Sequence, residues 1–240
     1  MSYEEDLAYI HHTGFANFVE QATPEIIALL QSAGIQDGLI LDLACGSGIS
    51  SKILIQSGYS VHGIDISPHF INLAQKMAPR ATFQIKSLYD AEFPKANAVL
   101  CISEGLNYLF DENAEQQLKN VFKKIHATLP KNGLFICDII EPGVNGAVNP
   151  SRTFIEGLDW TIHLEKEEYK SGKMERRMTI FRQIAEDTWR RSEETHRVQL
   201  YKSTTFANML RKAGFAVRIM RGYGDLRFRL GHVGFIARKT

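Results

Sequence analysis

Charge of one sign is the first thing this chain lacks. Its 28 Lys and Arg stand against 27 Asp and Glu, a formal net charge of +1 over 240 residues, so no general electrostatic pull toward nucleic acid or a membrane surface is built in. Long apolar runs are missing too. No uninterrupted stretch approaches the roughly 20 residues of a membrane-spanning helix, and the acidic, aromatic first residues do not read as a signal peptide. Cysteine is scarce: Cys45, Cys101 and Cys137 are odd in number and without Cys-x-x-Cys spacing, which argues against a disulfide framework and a zinc site. Each lies in or just after an apolar run and reads as a small buried residue. These absences predict a cytoplasmic protein. Its hydrophobic content of 44% suffices for one good core, at a size where a single domain with an insertion is expected.

What is present centres on residues 39–51, Leu-Ile-Leu-Asp-Leu-Ala-Cys-Gly-Ser-Gly-Ile-Ser-Ser. An apolar run too short for a helix meets a Gly-x-Gly turn and then a helical segment, which predicts strand, tight loop, helix. Gly46 and Gly48 can take positive φ, and the free amides at the helix start make an electropositive cradle. A dinucleotide loop would place a third glycine at Ser51, and Asp42 beside the turn is ill suited to a pyrophosphate. A carboxylate there suits a ligand that carries an ammonium and a sulfonium. A second strand, Val61-His62-Gly63-Ile64-Asp65, ends in another acid at the step where nucleoside binders place a carboxylate on ribose hydroxyls, so Asp65 is the expected ribose ligand.

Asp-x-Ala-Cys-Gly-Ser-Gly followed by Gly-Ile-Asp-Ile-Ser-Pro resembles the first two motifs of the class I S-adenosylmethionine-dependent methyltransferases, over about residues 36–140. The resemblance implies S-adenosylmethionine as cofactor. It also implies an α/β, Rossmann-like, seven-stranded and mostly parallel sheet, last strand antiparallel, flanked by helices. The backbone around Ala44, Cys45, Gly46, Ser47 and Gly48 would hold the methionine part, with Asp42 near it; Asp65 would bind the ribose, and Ile66 is expected on the cofactor. Ser87 and Leu88 would flank the adenine, a hydroxyl standing where the family usually has an acid or amide. The loop after the fourth strand, with Ser103, Glu104, Asn107 and Tyr108, would lie next to the methyl group. It lacks the Asp/Asn-Pro-Pro-Tyr/Phe motif of adenine and glutamine amino-methyltransferases. Ser103 and Glu104 are expected on the cofactor, and Asn107 and Tyr108 on the substrate.

In the family the N-terminal segment often closes over the cofactor. Residues 1–22 are therefore an expected lid, with Tyr9, His11, His12 and Phe15 as candidates to shut the site and a histidine or Tyr108 as a candidate base. Residues 24–32 predict a helix capped by Thr23 with Pro24 at its first position, and residues 112–128 a long amphipathic helix. Asp138 and Glu141 lie near the same rim, but two acids with no third ligand do not make a metal site. Residues 151–202 alternate polar and apolar, which predicts an antiparallel β insertion over the carboxyl rim as a substrate cap. Arg176, Arg177, Arg190 and Arg191 on it are expected to be mostly solvated. Residues 203–240 supply a helix capped by Ser203 and a closing strand pair. Residues 211–240 carry eight Lys/Arg and one acid, Asp225.

The reading that follows is methyl transfer to a small-molecule acceptor by in-line displacement, in a monomer or homodimer. An RNA-directed methyltransferase, a nicotinamide-dependent oxidoreductase and a non-catalytic nucleoside-binding protein are the alternatives.

Overall fold

The computed structural model describes residues 3–108, 113–143 and 150–240. Two helices come first, α1 (Glu5–Gly14) and α2 (Asn17–Ser32). Strands and helices then alternate: β1 (Leu39–Leu43), α3 (Ile49–Gln56), β2 (Ser60–Asp65), α4 (Pro68–Met77), β3 (Thr82–Ile85) and β4 (Ala98–Cys101). A 3-10 turn (Gly105–Asn107), α5 (Ala114–Thr128) and β5 (Leu134–Ile140) follow. The expected α5 start at Glu112 lies outside the described residues. Four strands come next, β6 (Ser151–Glu156), β7 (Trp160–Glu168), β8 (Lys173–Ala185) and β9 (Thr188–Gln199). The chain ends with α6 (Ser203–Lys212), β10 (Phe215–Met220), a small ribbon of β11 (Gly222–Tyr223) and β12 (Leu226–Arg227), and β13 (His232–Lys239).

The main sheet runs β10-β13-β5-β4-β1-β2-β3. It is parallel except for β13, which opposes both its neighbours, as the resemblance implied. Alternate residues of one strand feed two cores, which is why the strands read as unbroken apolar runs. Leu41, Val99 and Phe135 meet Phe122 of α5 and Phe206 of α6 on one face. Ile40, Leu100 and Ile136 meet Ile26 and Leu30 of α2 and Leu54 of α3 on the other. The chain moves outward from β1 in both directions, so a crevice opens at the carboxyl end of β1, where such sheets bind ligands.

Two expected helix starts are wrong. Helix α2 begins at Asn17, so Pro24 lies inside it and Thr23 is not a cap. The bond Pro24 cannot make would have gone to Glu20, which is exposed to water, and Thr23 Oγ1 donates to Val19 O at 2.6 Å. The extra turns are held because Phe18, Val19 and Ala22 pack on the same core as Ile26 and Leu30, which offsets the cost of the proline. Ser203 is likewise the first helical residue rather than the cap; its backbone N–H donates to Glu141 Oε1 at 2.7 Å.

Strands β6 to β9 form a separate antiparallel sheet in sequence order. Its inner face, Trp160, Ile162, Met178 and Ile180, packs on Leu7 and Ile10 of α1. Asp6 at the helix start accepts from Arg182, Arg190 and Ser192. Arg190 is thus an anchor rather than a solvated charge. Helix α1 also touches α4, so it lies between the second sheet and the main one. A bridge from Tyr108 to Val198 and the side chain of Asn107 close the other side. Asn107 Nδ2 donates to Ile140 O and Gln199 O, and its Oδ1 accepts from Ile140 N. Asn107 is therefore a buried clamp between β5 and β9, not a residue turned toward substrate. Asn107→Ala strands three backbone groups and is expected to cost about 2 kcal/mol in urea melts, within the range for orphaned buried polar groups.

Candidate active site

The turn after β1 takes a left-handed backbone at three positions, two of them glycines: φ is 53° at Ala44, 53° at Gly46 and 77° at Gly48. At Gly48 a Cβ would meet the backbone of Ala74 at 2.9 Å, so only glycine lets α3 start against α4. Cys45 N–H donates to Ile64 O, tying the turn to β2. Asp65, at the end of β2, accepts from Gly46 N on one oxygen and from Ser67 N on the other, each at 2.9 Å. Ser67 in turn caps α4, accepting from Phe70 N.

Asp42 is buried, and its Oδ2 accepts from Ser50 Oγ at 2.6 Å and Ser51 Oγ at 2.9 Å. The serine standing in place of a third glycine is thus a partner of this acid. Burial raises the Asp42 pKa to about 6, against the two hydroxyls, which lower it. Burial also raises that of Asp65, its backbone donors opposing. Both carboxylates line one cavity.

The cavity also receives Ala44, Cys45, Gly46, Ser47, Ile66, Ser87, Leu88, Ser103, Phe15 and Tyr108, all expected at the site. Gly48, Glu104, Tyr9, His12 and Asn107 are outside its lining. Tyr9 points the other way, donating to Asp159 Oδ2 with the Arg182 guanidinium 3.8 Å from its ring centroid. His12 Nδ1 lies 3.0 Å from Ser47 Oγ, behind the wall. In its place His11 faces inward among Tyr3, Phe15 and Phe70. Burial lowers its pKa to about 4, so it is neutral at pH 7 and does not repel a cation. The Cys45 thiol is pushed up by burial and then by Asp42, which makes it a packed residue rather than a nucleophile.

Ser103 and Glu104 are non-glycine residues at positive φ, 63° and 67°. Asp138 holds that conformation by accepting from both backbone N–H groups, at 3.0 and 2.7 Å. The Glu104 side chain leaves the cavity and pairs with Arg176 at 2.7 Å and with Arg229. Arg176 also donates to Tyr108 Oη, which shares a hydrogen bond with Tyr3 Oη. The expectation that Arg176 is solvated fails because Glu104 draws it beneath the second sheet. Sequence reasoning missed Tyr3, Phe70, Tyr89 and His196 in the lining.

Residues 40–133 match a family model described as a methyltransferase domain. A putative methyltransferase, YqeM, from Bacillus subtilis (strain 168) is 24% identical over 237 residues, covering 93% of this chain and 87% of its own. An S-adenosylmethionine-dependent methyltransferase from Clostridium acetobutylicum ATCC 824 has the same fold, with a TM-score of 0.83, 17% identity and 97% of each chain covered. So does CalS10, an amino pentose methyltransferase from Micromonospora echinaspora seen with S-adenosylmethionine bound, at a TM-score of 0.75 and 14% identity, over 100% of this chain and 99% of that one. The two acid-tipped strands flank the glycine turn in the same order as the motifs they resemble, and the chain has the fold of the S-adenosylmethionine-dependent methyltransferases, with a methyltransferase domain matched over residues 40–133.

Proposed function

We propose that the chain methylates a small-molecule acceptor, and that its cofactor is held as follows. Asp65 takes the ribose hydroxyls, and the backbone of Ala44 to Gly48 with Asp42 takes the methionine end. Ser87 and Leu88 flank the adenine, and Ser103 lies near the reacting end. The residues fit such a ligand: two buried carboxylates in one cavity favour a cationic nucleoside over a pyrophosphate. When bound, the cofactor supplies an electrophilic methyl group on a cationic sulfur. The chain supplies alignment and exclusion of water.

The observation that carries the small-molecule reading is enclosure. Tyr3, His11 and Phe15 from the N-terminal segment and His196 from the second sheet line the same cavity as Asp42 and Asp65. The described part of the segment 1–22, from Tyr3 on, acts as a lid and 151–202 as a cap, and the cap packs on α1 of the lid. A polymer strand would have to displace both. Three of the eight basic residues of the last stretch are engaged within the chain: Arg221 pairs with Glu141, Arg229 with Glu104, and Lys239 donates to His126 O and Leu129 O. The amino pentose acceptor of CalS10 is consistent with the same reading.

Titration calorimetry with S-adenosylmethionine and S-adenosylhomocysteine, followed by a panel of acceptors with labelled methyl groups, tests it. NAD binding with no affinity for either adenosyl compound would overturn it. The pH dependence is a second check. Asp42 must be ionised to pair with the ammonium, so affinity is expected to fall by up to about tenfold per pH unit below about pH 6, the value its burial sets. Asp42→Asn should flatten the curve. Without ligand the sign is opposite: a folded pKa above the unfolded one means this group's contribution to stability is lost as pH rises from the usual carboxylate range through about 6.

A further inference from the structure

Glu194 and His196 are two apart on β9, so both point to the same face of the strand, toward α1 and the cavity. Their side chains are buried, and His196 Nε2 lies 2.9 Å from Glu194 Oε2. A carboxylate that accepts from one ring nitrogen fixes the tautomer: Nε2 carries the proton and Nδ1 keeps its lone pair. Nδ1 makes no hydrogen bond with any described residue and is not sealed from solvent. The His196 ring lines the cavity that holds Asp42 and Ser103, 4.7 Å from the ring of Tyr3 and 5.8 Å from that of Tyr108. Glu194 is itself anchored, its Oε1 accepting from Glu4 N at 3.3 Å.

We infer that His196 is the base of the reaction, with Glu194 its positioning residue, and that the acceptor's nucleophilic atom is a hydroxyl or ammonium that must shed a proton. This rests on the methyl-transfer reading above. The acceptor's O–H or N–H bond breaks and its proton goes to His196 Nδ1. The electron pair so released bonds to the methyl carbon as the methyl–sulfur pair returns to sulfur. The proton then leaves Nδ1 for solvent when the cavity opens. Neither His12, which faces Ser47, nor Tyr108, whose hydroxyl is already taken by Tyr3 and Arg176, has a free basic atom toward the cavity.

The test has a part that needs no acceptor. In the full chain with S-adenosylhomocysteine added, side-chain 15N spectra should show His196 as the Nε2–H tautomer, and Glu194→Gln should disturb it while Glu194→Asp retains it. For His196→Ala, calorimetry should give an S-adenosylhomocysteine affinity within about twofold of the parent. Its kcat on alcohol or amine acceptors should fall at least about 100-fold, the usual worth of a general base, with KM little changed. Added imidazole should restore at least tenfold of that loss. Tertiary amines, which have no proton to lose when neutral, should be indifferent to the substitution. An Nδ1–H tautomer in the parent, an undiminished kcat in His196→Ala, or a loss that imidazole does not touch would each overturn the assignment. Absence of S-adenosylhomocysteine binding by the parent would instead strike the cofactor reading, and is read in a separate measurement.

Discussion

Asp65→Ala is expected to weaken S-adenosylmethionine binding by about 3–4 kcal/mol, between a hundredfold and a thousandfold. Charge-assisted hydrogen bonds to ribose account for about 1–3 kcal/mol of this. The remainder comes from the turn. Asp65 accepts from Gly46 N and Ser67 N, so it holds the glycine loop after β1 and the cap of α4 in one arrangement. Without it, the left-handed Ala44 to Gly48 backbone must be re-formed each time a ligand binds. Asp65→Asn separates the two contributions. The amide keeps one oxygen as an acceptor for a backbone donor but loses the charge, and so should fall between the parent and the alanine variant. Calorimetry reads the affinities and thermal melts check the fold. An alanine variant that melts like the parent and binds with the same affinity would show that ribose does not sit on this acid.

The parts of this site that could be read in the sequence are those whose signal is local. A strand that ends in an acid, a turn with glycines at fixed offsets and a helix opened by Ser67-Pro68 each occupy a few adjacent residues, and each formed where expected. The two-residue alternation of 151–202 likewise identified the second sheet. What was missed depends on partners far along the chain. Helix α1 is apolar toward the second sheet and aromatic toward the cavity, so periodicity alone does not say which face meets the ligand. The signal was nonetheless there: His11 and Phe15 are four apart and share a face, whereas Tyr9 is two residues from His11 and points away. On β9 the clue was of another kind. Positions 191, 193, 195 and 197 are polar and exposed, as expected for an outer face, while Ser192, Glu194 and His196 put polar groups on the inner one. Glu104 and Asn107 had no local signal at all, because their partners, Arg176, Arg229, Ile140 and Gln199, lie about 30 to 125 residues away in sequence.

Glu104→Gln should be the most destabilising single change near the site, costing about 3–5 kcal/mol at pH 7, the range for breaking one half of a buried ion pair. The side chains of Arg176 and Glu104 are only 13% and 10% exposed. The amide keeps one acceptor oxygen but leaves the guanidinium's charge uncompensated in that low-dielectric space, with Tyr108 Oη as a neutral partner and its Nε already without one. Arg229 is largely exposed and loses little. The pH dependence identifies the cause. Burial alone would raise the Glu104 pKa, but Arg176 and Arg229 reverse this and hold it at about 2. Its folded value is therefore below its unfolded one, so the stabilisation is complete above the ordinary carboxylate range and is lost as pH falls through about 2. In urea melts the gap between parent and variant should accordingly be widest at pH 7 and narrow at pH 3. Adding Arg176→Met to Glu104→Gln removes the stranded charge and should recover much of the loss. If the double variant is instead as unstable as the sum of the two single ones, the pair acts through packing with Tyr3 and Tyr108 and not through its charges.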